Sequence, residues 1–241
     1  MLHTTQGIVL HNIKYADKKI ISKIYTKDFG LISANINVGN GPKAKIKSGV
    51  IQPLTQIECV ISIKENKEVQ QVSEVKCLFV YTDLQTNFGK LCIAQFLNEV
   101  LYKCIKEQIA NDDLFDLICH TYQWLDKAVD GYVDTHIYFL FELTKHLGFY
   151  PVNNRDAAAS YFDTLEGKFS STTKSFPLGF DHWQSELFAN LFAYSLSNQK
   201  KITRTERLAL LDCLLHYYKM QIPGLLDFKS YGVMQEMANE F

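Results

Sequence analysis

The stretch of this chain best suited to chemistry is 39–53, GNGPKAKIKSGVIQP. There Lys43, Lys45 and Lys47 follow one another with no acid between them. Ammonium groups this close repel one another, and ordering a glycine-rich loop costs conformational entropy. A polyanion resting on the loop offsets both. A second basic row precedes it. Within 18–27 the odd positions are Lys19, Ile21, Lys23, Tyr25 and Lys27, and a strand sends alternate residues to one face. Ammonium groups reach phosphates, and an aromatic ring gives a base something to stack on, as sequence-tolerant single-strand binding requires. The competing reading is that the lysine stems cover a solvated face while Tyr25 packs beneath helices. Residues 1–50 hold eight lysines, Lys14 among them, against Asp17 and Asp28, a net +6; the remainder carries −7. The overall charge of −1 hides this asymmetry, and the first fifth of the chain suits a nucleic acid or another anionic surface.

A third cluster is Lys200, Lys201, Arg204 and Arg207. It sits where Thr203 and Glu206 form a capping box that starts a helix. Positive charge in a first helical turn opposes the helix dipole by about a few tenths of a kcal/mol, so local stability does not account for it. Either these cations pair with acids of another helix, or they meet an acidic partner.

Other chemistries fail on spacing. Residues 41–48 approach a phosphate loop, with Lys47 and Ser48 in place. Ile46, however, stands where the second glycine must be, and β-like sequence follows instead of a helix. The seven histidines form no HxH or HExxH pair and the six cysteines no CxxC, so no metal site is expected. There is no GxSxG and no cysteine with a recognisable catalytic signature. No catalytic residue or cofactor is expected. No run of 18 apolar residues and no secretory signal is present, and cysteines inside apolar patterns suit reduced thiols in a cytoplasmic protein.

Two blocks of elements must position these residues. Period-2 patterns predict strands over 6–14, 18–27, 31–38, 55–64 and 69–80, with the basic loop between the third and fourth. Five short strands in about 80 residues suit an OB-fold barrel. From about 83 the period becomes helical, with Ile93, Leu97, Val100 and Cys104 on one face. Further helices are predicted over 113–127 and 135–147, with Gly148 as a cap and Pro151 as a stop. Asp181 with Gln184 predicts another to about 197, and Thr203 with Glu206 one to about 220. The fold class is therefore α+β: an N-terminal five-stranded OB-fold barrel over 1–81, then an α-helical domain over 82–241. Residues 153–180 form a cysteine-free insertion with a small hairpin near 165–168.

Three pieces in order carry a resemblance: GIVLHNIKYADKKIISKIYTKDFGLISANINVGNGPKAKIKSGVIQPL at 7–54, LGFYP at 147–151, and LLDFKS at 225–230 after a helix. Together they resemble the RecO family of bacterial DNA repair and recombination mediators. The resemblance implies an OB-fold with a helical domain, binding of single- and double-stranded DNA, and annealing of complementary strands. It also implies work with RecR, RecF and single-strand binding protein to load RecA. Many members carry a four-cysteine zinc module after the segment matching 147–151; here that region has no cysteine, and zinc is not carried over. The family's loop is often arginine-rich, whereas this one has only lysines, which act as point charges rather than forks.

The expected DNA-binding residues are thus Lys14, Lys19, Lys23, Tyr25, Lys27, Lys43, Lys45 and Lys47. Lys200, Lys201, Arg204 and Arg207 are the expected partner-binding set, a candidate for the acidic tail of single-strand binding protein. The alternative function is a protein-interaction adaptor whose barrel holds a protein partner.

Overall fold

The computed structural model describes all residues except 40, 42, 43, 65, 107, 108, 176, 177, 196, 197, 199 and 241, and leaves aside the side chains of 238–240. The chain divides into two compact units. One comprises Met1–Thr86 with Asn98–Lys127, the other Asn87–Leu97 with Ala128–Phe241.

The first unit is built on a closed barrel. Its strands are β1 (Leu2–Ala16), β2 (Lys19–Thr26), β3 (Gly30–Asn37), β4 (Gln56–Ser62) and β5 (Val69–Cys77), in the order β1-β2-β3-β5-β4. Only β3 and β5 pair in parallel. This is the expected OB-type barrel. β1 is longer than its alternation predicts because it serves two neighbours: Leu2 to Ile8 pair with β4, and Gly7 to Ala16 pair with β2. At the changeover a Cβ on Gly7 would come within 2.6 Å of Ile24 Cγ2, so the strands cross where a side chain has no room. β5 ends at Cys77 rather than near 80, its pairing with β4 closing where Leu78 N–H donates to Gln56 O at 2.9 Å.

Alternation decides the barrel interior. Ile24, Ile32, Ala34, Ile36, Ile57, Cys59, Ile61 and Val72 point inward and are buried. A fully buried isoleucine contributes about 1.5–3 kcal/mol. Ile46 and Ile51, from the segment joining β3 to β4, are buried in the same cluster. That segment is tied at its base, with Gly39 N–H donating to Ile46 O at 3.0 Å. The described part of the basic loop is therefore anchored into the core through Ile46 and Ile51. Leu54, at φ 76°, occupies left-handed backbone at a cost of about 1–2 kcal/mol. It is held there by its N–H donating to Val9 O at 2.8 Å and by Tyr81 OH donating to its carbonyl at 3.0 Å.

The helical part of this unit covers the outer side of the barrel. Asn98, on α1 (Phe88–Cys104), donates to Leu10 O at 2.5 Å, and the ring of Tyr102 stacks on His11 at 4.5 Å. α2 (Asp112–Lys127) carries Asp126, whose carboxylate accepts from the backbone N–H groups of Thr82, Asp83 and Leu84. Burial works to raise the pKa of Asp126, but these hydrogen bonds outweigh it and the carboxyl lies below its ordinary value.

In the second unit α3 (Thr135–His146) is buried along most of its length. α4 (His182–Asn190) and α5 (Arg204–Gln221) pack with it, and α6 (Tyr231–Glu240) follows. Both expected capping boxes form, at Asp181 with Gln184 and at Thr203 with Glu206. α4 stops at Asn190, short of 197, because the chain tightens into a 3-10 turn at Leu191–Ala193. β6 (Tyr161–Asp163) and β7 (Lys168–Ser170) make the expected hairpin.

Candidate nucleic-acid interface

Register places the outward side chains of the barrel. Ile21 on β2 lies opposite Ile13 on β1 and Asn35 on β3, and Asn35 lies opposite Gln71 on β5. Lys19 and Lys23 flank Ile21 two residues away on the same face. Tyr15, near the end of β1, donates from its hydroxyl to Asn35 Oδ1 at 2.9 Å, and Asn35 Nδ2 donates to Gln71 Oε1 at 3.1 Å. Two strand spacings, about 9.5 Å, separate β1 from β3. The tyrosine therefore lies down over β2.

Tyr15, Ile21, Asn35 and Gln71 floor a groove of about 370 Å3, rimmed by Lys64 and Lys67 from the turn between β4 and β5. Gln70 clamps that turn: its Nε2 donates to Lys64 O at 3.1 Å and Lys67 O at 2.6 Å, and its Oε1 accepts from Lys64 N–H at 2.8 Å. The basic segment leaves β3 nearby, where Val38 N–H donates to Lys18 O at 2.9 Å. On it Lys45 and Lys47 are exposed. Among the described residues none of Lys19, Lys23, Lys45, Lys47, Lys64 and Lys67 forms an ion pair. Such a surface attracts phosphates over a Debye length, about 8–10 Å at ordinary salt.

Not all the expected residues join this face. Lys43 lies outside the described residues. Lys14 is exposed but opposes Ile20, so it belongs to the strand row opposite to that of Lys19 and Lys23. Lys27 is eight residues from Lys19, about 26 Å along an extended chain. It lies 3.9 Å from Asp116 and 6.0 Å from the ring centre of Phe115. Tyr25 requires a correction. It is 1% exposed, with its hydroxyl 3.5 Å from Asn111 O, so its ring faces the segment before α2 and offers no surface to a base. The aromatic residue in the groove is Tyr15, which reasoning on β2 alone passed over, as it did Lys64 and Lys67. Its signal was an apolar alternation, Ile13 then Tyr15, continuing outward past the point where helices cover the strand.

Two family models match, one described as Recombination protein O N terminal over residues 1–81 and one as Recombination protein O C terminal over 85–231. The chain belongs to the RecO family. A DNA repair protein RecO of Bacteroides fragilis is 32% identical over 242 residues, covering 98% of this chain and 99% of the relative. Those of Phocaeicola vulgatus and Porphyromonas gingivalis are 29% and 26% identical, each over 98% of this chain and 99% of the relative.

The zinc module that many RecO family members carry does not fit the residues here. No thiol or imidazole lies within 153–180. Its buried acid, Asp163, is engaged by Lys174 and by the N–H groups of Leu165 and Glu166. Among the described residues no group of three His, Cys, Asp or Glu side chains could hold a metal ion. The hairpin rests instead on an aromatic cluster: Phe162 lies 5.2 Å from Phe169, 5.4 Å from Phe180, 4.4 Å from Phe188 and 5.3 Å from Tyr217.

The basic cluster of the helical unit splits in two. Lys200, Lys201 and Arg204 are exposed. Arg207 is 5% exposed and donates from Nε to Asp134 Oδ1 at 2.5 Å, so it is an internal ion pair and not a docking residue. Burial raises the Asp134 carboxyl above its ordinary value, with Arg207 only partly opposing this. None of the six cysteines forms a disulfide, and burial pushes the thiols of Cys59, Cys104 and Cys119 up to about 11, 12 and 12. These are packing thiols rather than nucleophiles. No helix among the described residues is long and apolar enough to cross a membrane.

Proposed function

We propose that this protein is a non-enzymatic recombination mediator of DNA repair, acting in the cytoplasm. Lys19, Lys23, Lys45 and Lys47 gather the phosphates of single- and double-stranded DNA, with Lys43 in the same loop and Lys14 and Lys27 at the margin. Annealing then needs only that two strands be neutralised and held loosely; no bond is made or broken. RecR, RecF and single-strand binding protein are the proposed partners in loading RecA, and Lys200, Lys201 and Arg204 are the proposed contact for an acidic tail. The observation that carries this reading is a barrel face of lysines without ion pairs among the described residues, in a chain of the RecO family.

The test is strand annealing with and without single-strand binding protein, beside DNA affinity measured against salt. Replacing Lys19, Lys23, Lys45 and Lys47 with alanine lowers the single-strand salt slope by up to about 0.7 for each phosphate no longer neutralised. An unchanged slope removes these lysines from the site, and no acceleration of annealing by the unmodified protein removes the function. A second reading, a protein-interaction adaptor, is favoured by the exposure of Ile13 and Tyr15 on the same barrel face. Failure to bind single strands at roughly 100 μM, the weak end of non-specific affinity, selects the adaptor.

A further inference from the structure

We propose that the groove over β2 holds one unpaired base of single-stranded DNA, stacked on the exposed face of Tyr15, and that this contact makes the barrel favour single strands over duplex. The inference rests on the DNA-binding reading above and adds to it a residue, a ligand chemistry and a discrimination. A phosphate-gathering face alone treats single and double strands by their charge density. Tyr15 adds something that only an unpaired base can use.

Three observations carry it. First, Tyr15 is 52% exposed although its hydroxyl is tethered. A ring anchored at its far end is pre-oriented, and about half of the residue stays open to solvent. Little side-chain entropy remains to be lost when a base stacks there. Second, the polar partners at its tip, Asn35 and Gln71, are side-chain amides on the groove floor. Each amide carries two N–H donors and an acceptor oxygen, so both can also meet the edge of a base. Third, Lys64 and Lys67 stand on the rim, in a turn that Gln70 holds by three hydrogen bonds. Lys23 lies two residues from the floor residue Ile21. A base on the ring thus has the ammonium groups of Lys64 and Lys67 in the same groove for a flanking phosphate. A paired base inside a duplex has both faces already stacked and cannot enter.

The experiment uses the full-length protein and three labelled ligands of equal length: an oligothymidylate, a strand of abasic sites with the same phosphates, and a duplex. Binding is followed by fluorescence anisotropy. The Tyr15→Ala variant should lose roughly 5- to 150-fold in affinity for oligothymidylate, the value of one stacked base. It should stay within about twofold on the abasic strand and the duplex, which report that the charged face and the fold are intact. Tyr15→Phe, which keeps the ring and drops the tether, should lose less than Tyr15→Ala. An equal loss on all three ligands overturns the stacking role, as does no loss on any. If the unmodified protein binds none of the three, the DNA-binding reading fails and this inference fails with it. If it binds all three and Tyr15→Ala changes nothing, only this inference fails.

Discussion

Arg207 looked from its sequence neighbours like one of four partner-binding cations, and its burial makes a different and measurable statement. Arg207 and Asp134 are 5% and 4% exposed. Truncating one member of a buried pair leaves the other charge without compensation, which costs about 3–5 kcal/mol. Arg207 Nη1 is itself buried with no hydrogen-bond partner among the described residues, so the native pair is not ideal. The lower part of that range, about 3–4 kcal/mol, is therefore expected for Arg207→Ala. At roughly 2–4 °C per kcal/mol for a domain of this size, the melting temperature falls by about 6–16 °C.

The pH dependence gives a second, independent sign. Burial already raises the Asp134 carboxyl, and Arg207 is among the groups that oppose this. Without Arg207 the carboxyl takes up a proton at higher pH, which removes the uncompensated charge. His136, fully buried, is held down to about 3, by burial first and by Arg207 second. Against an ordinary value of 6.5, the unfolded chain binds more protons between those values. In the native protein this contribution is full above the ordinary value and is lost as pH falls toward the depressed one, at up to about 1.4 kcal/mol per pH unit. Removing Arg207 eases that burden too. Both effects make the deficit of Arg207→Ala largest near pH 8 and smaller near pH 5. Urea denaturation at the two pH values measures it. A variant within about 1 kcal/mol of the native protein at pH 8, impaired only in binding an acidic peptide, would refute the burial argument and return Arg207 to the partner surface.

Two further outcomes follow from packing. Phe162→Ala should cost about 3–5 kcal/mol, since the ring is 1% exposed among four aromatic neighbours, whereas a strong chelator should leave the unfolding midpoint unchanged; a midpoint that falls with chelation would show a metal behind the hairpin. Gly30 and Gly131 both have positive φ, 63° and 70°, but a Cβ on Gly30 would run into the backbone of Ile109 and one on Gly131 meets nothing within 4 Å. Gly131→Ala should therefore cost about 1–2 kcal/mol of backbone strain and Gly30→Ala distinctly more; thermal melts showing the reverse order would contradict the close approach.

Local chemistry is written in adjacent residues, and that part was legible. Strand alternation at Ile32, Ala34 and Ile36 names its own buried face, and the paired capping residues Asp181 with Gln184 and Thr203 with Glu206 start helices where they stand. The excess of lysines in the first fifth of the chain already pointed to an anionic ligand. What sequence could not decide was which members of an alternating row stay uncovered. Lys19, Lys23 and Tyr25 share a face by period, yet Tyr25 lies beside the segment before α2, 86 residues away in sequence at Asn111, and is covered by it. Arg204 and Arg207 share a helix, yet Arg204 is exposed while Arg207 turns inward to an acid 73 residues distant. Tyr15 and Lys64 are far apart in sequence and become groove neighbours only when the barrel closes. Period and charge thus determined the elements and the sign of the ligand to be expected. Burial and long-range register, set by contacts between distant segments, decided which residues stay uncovered.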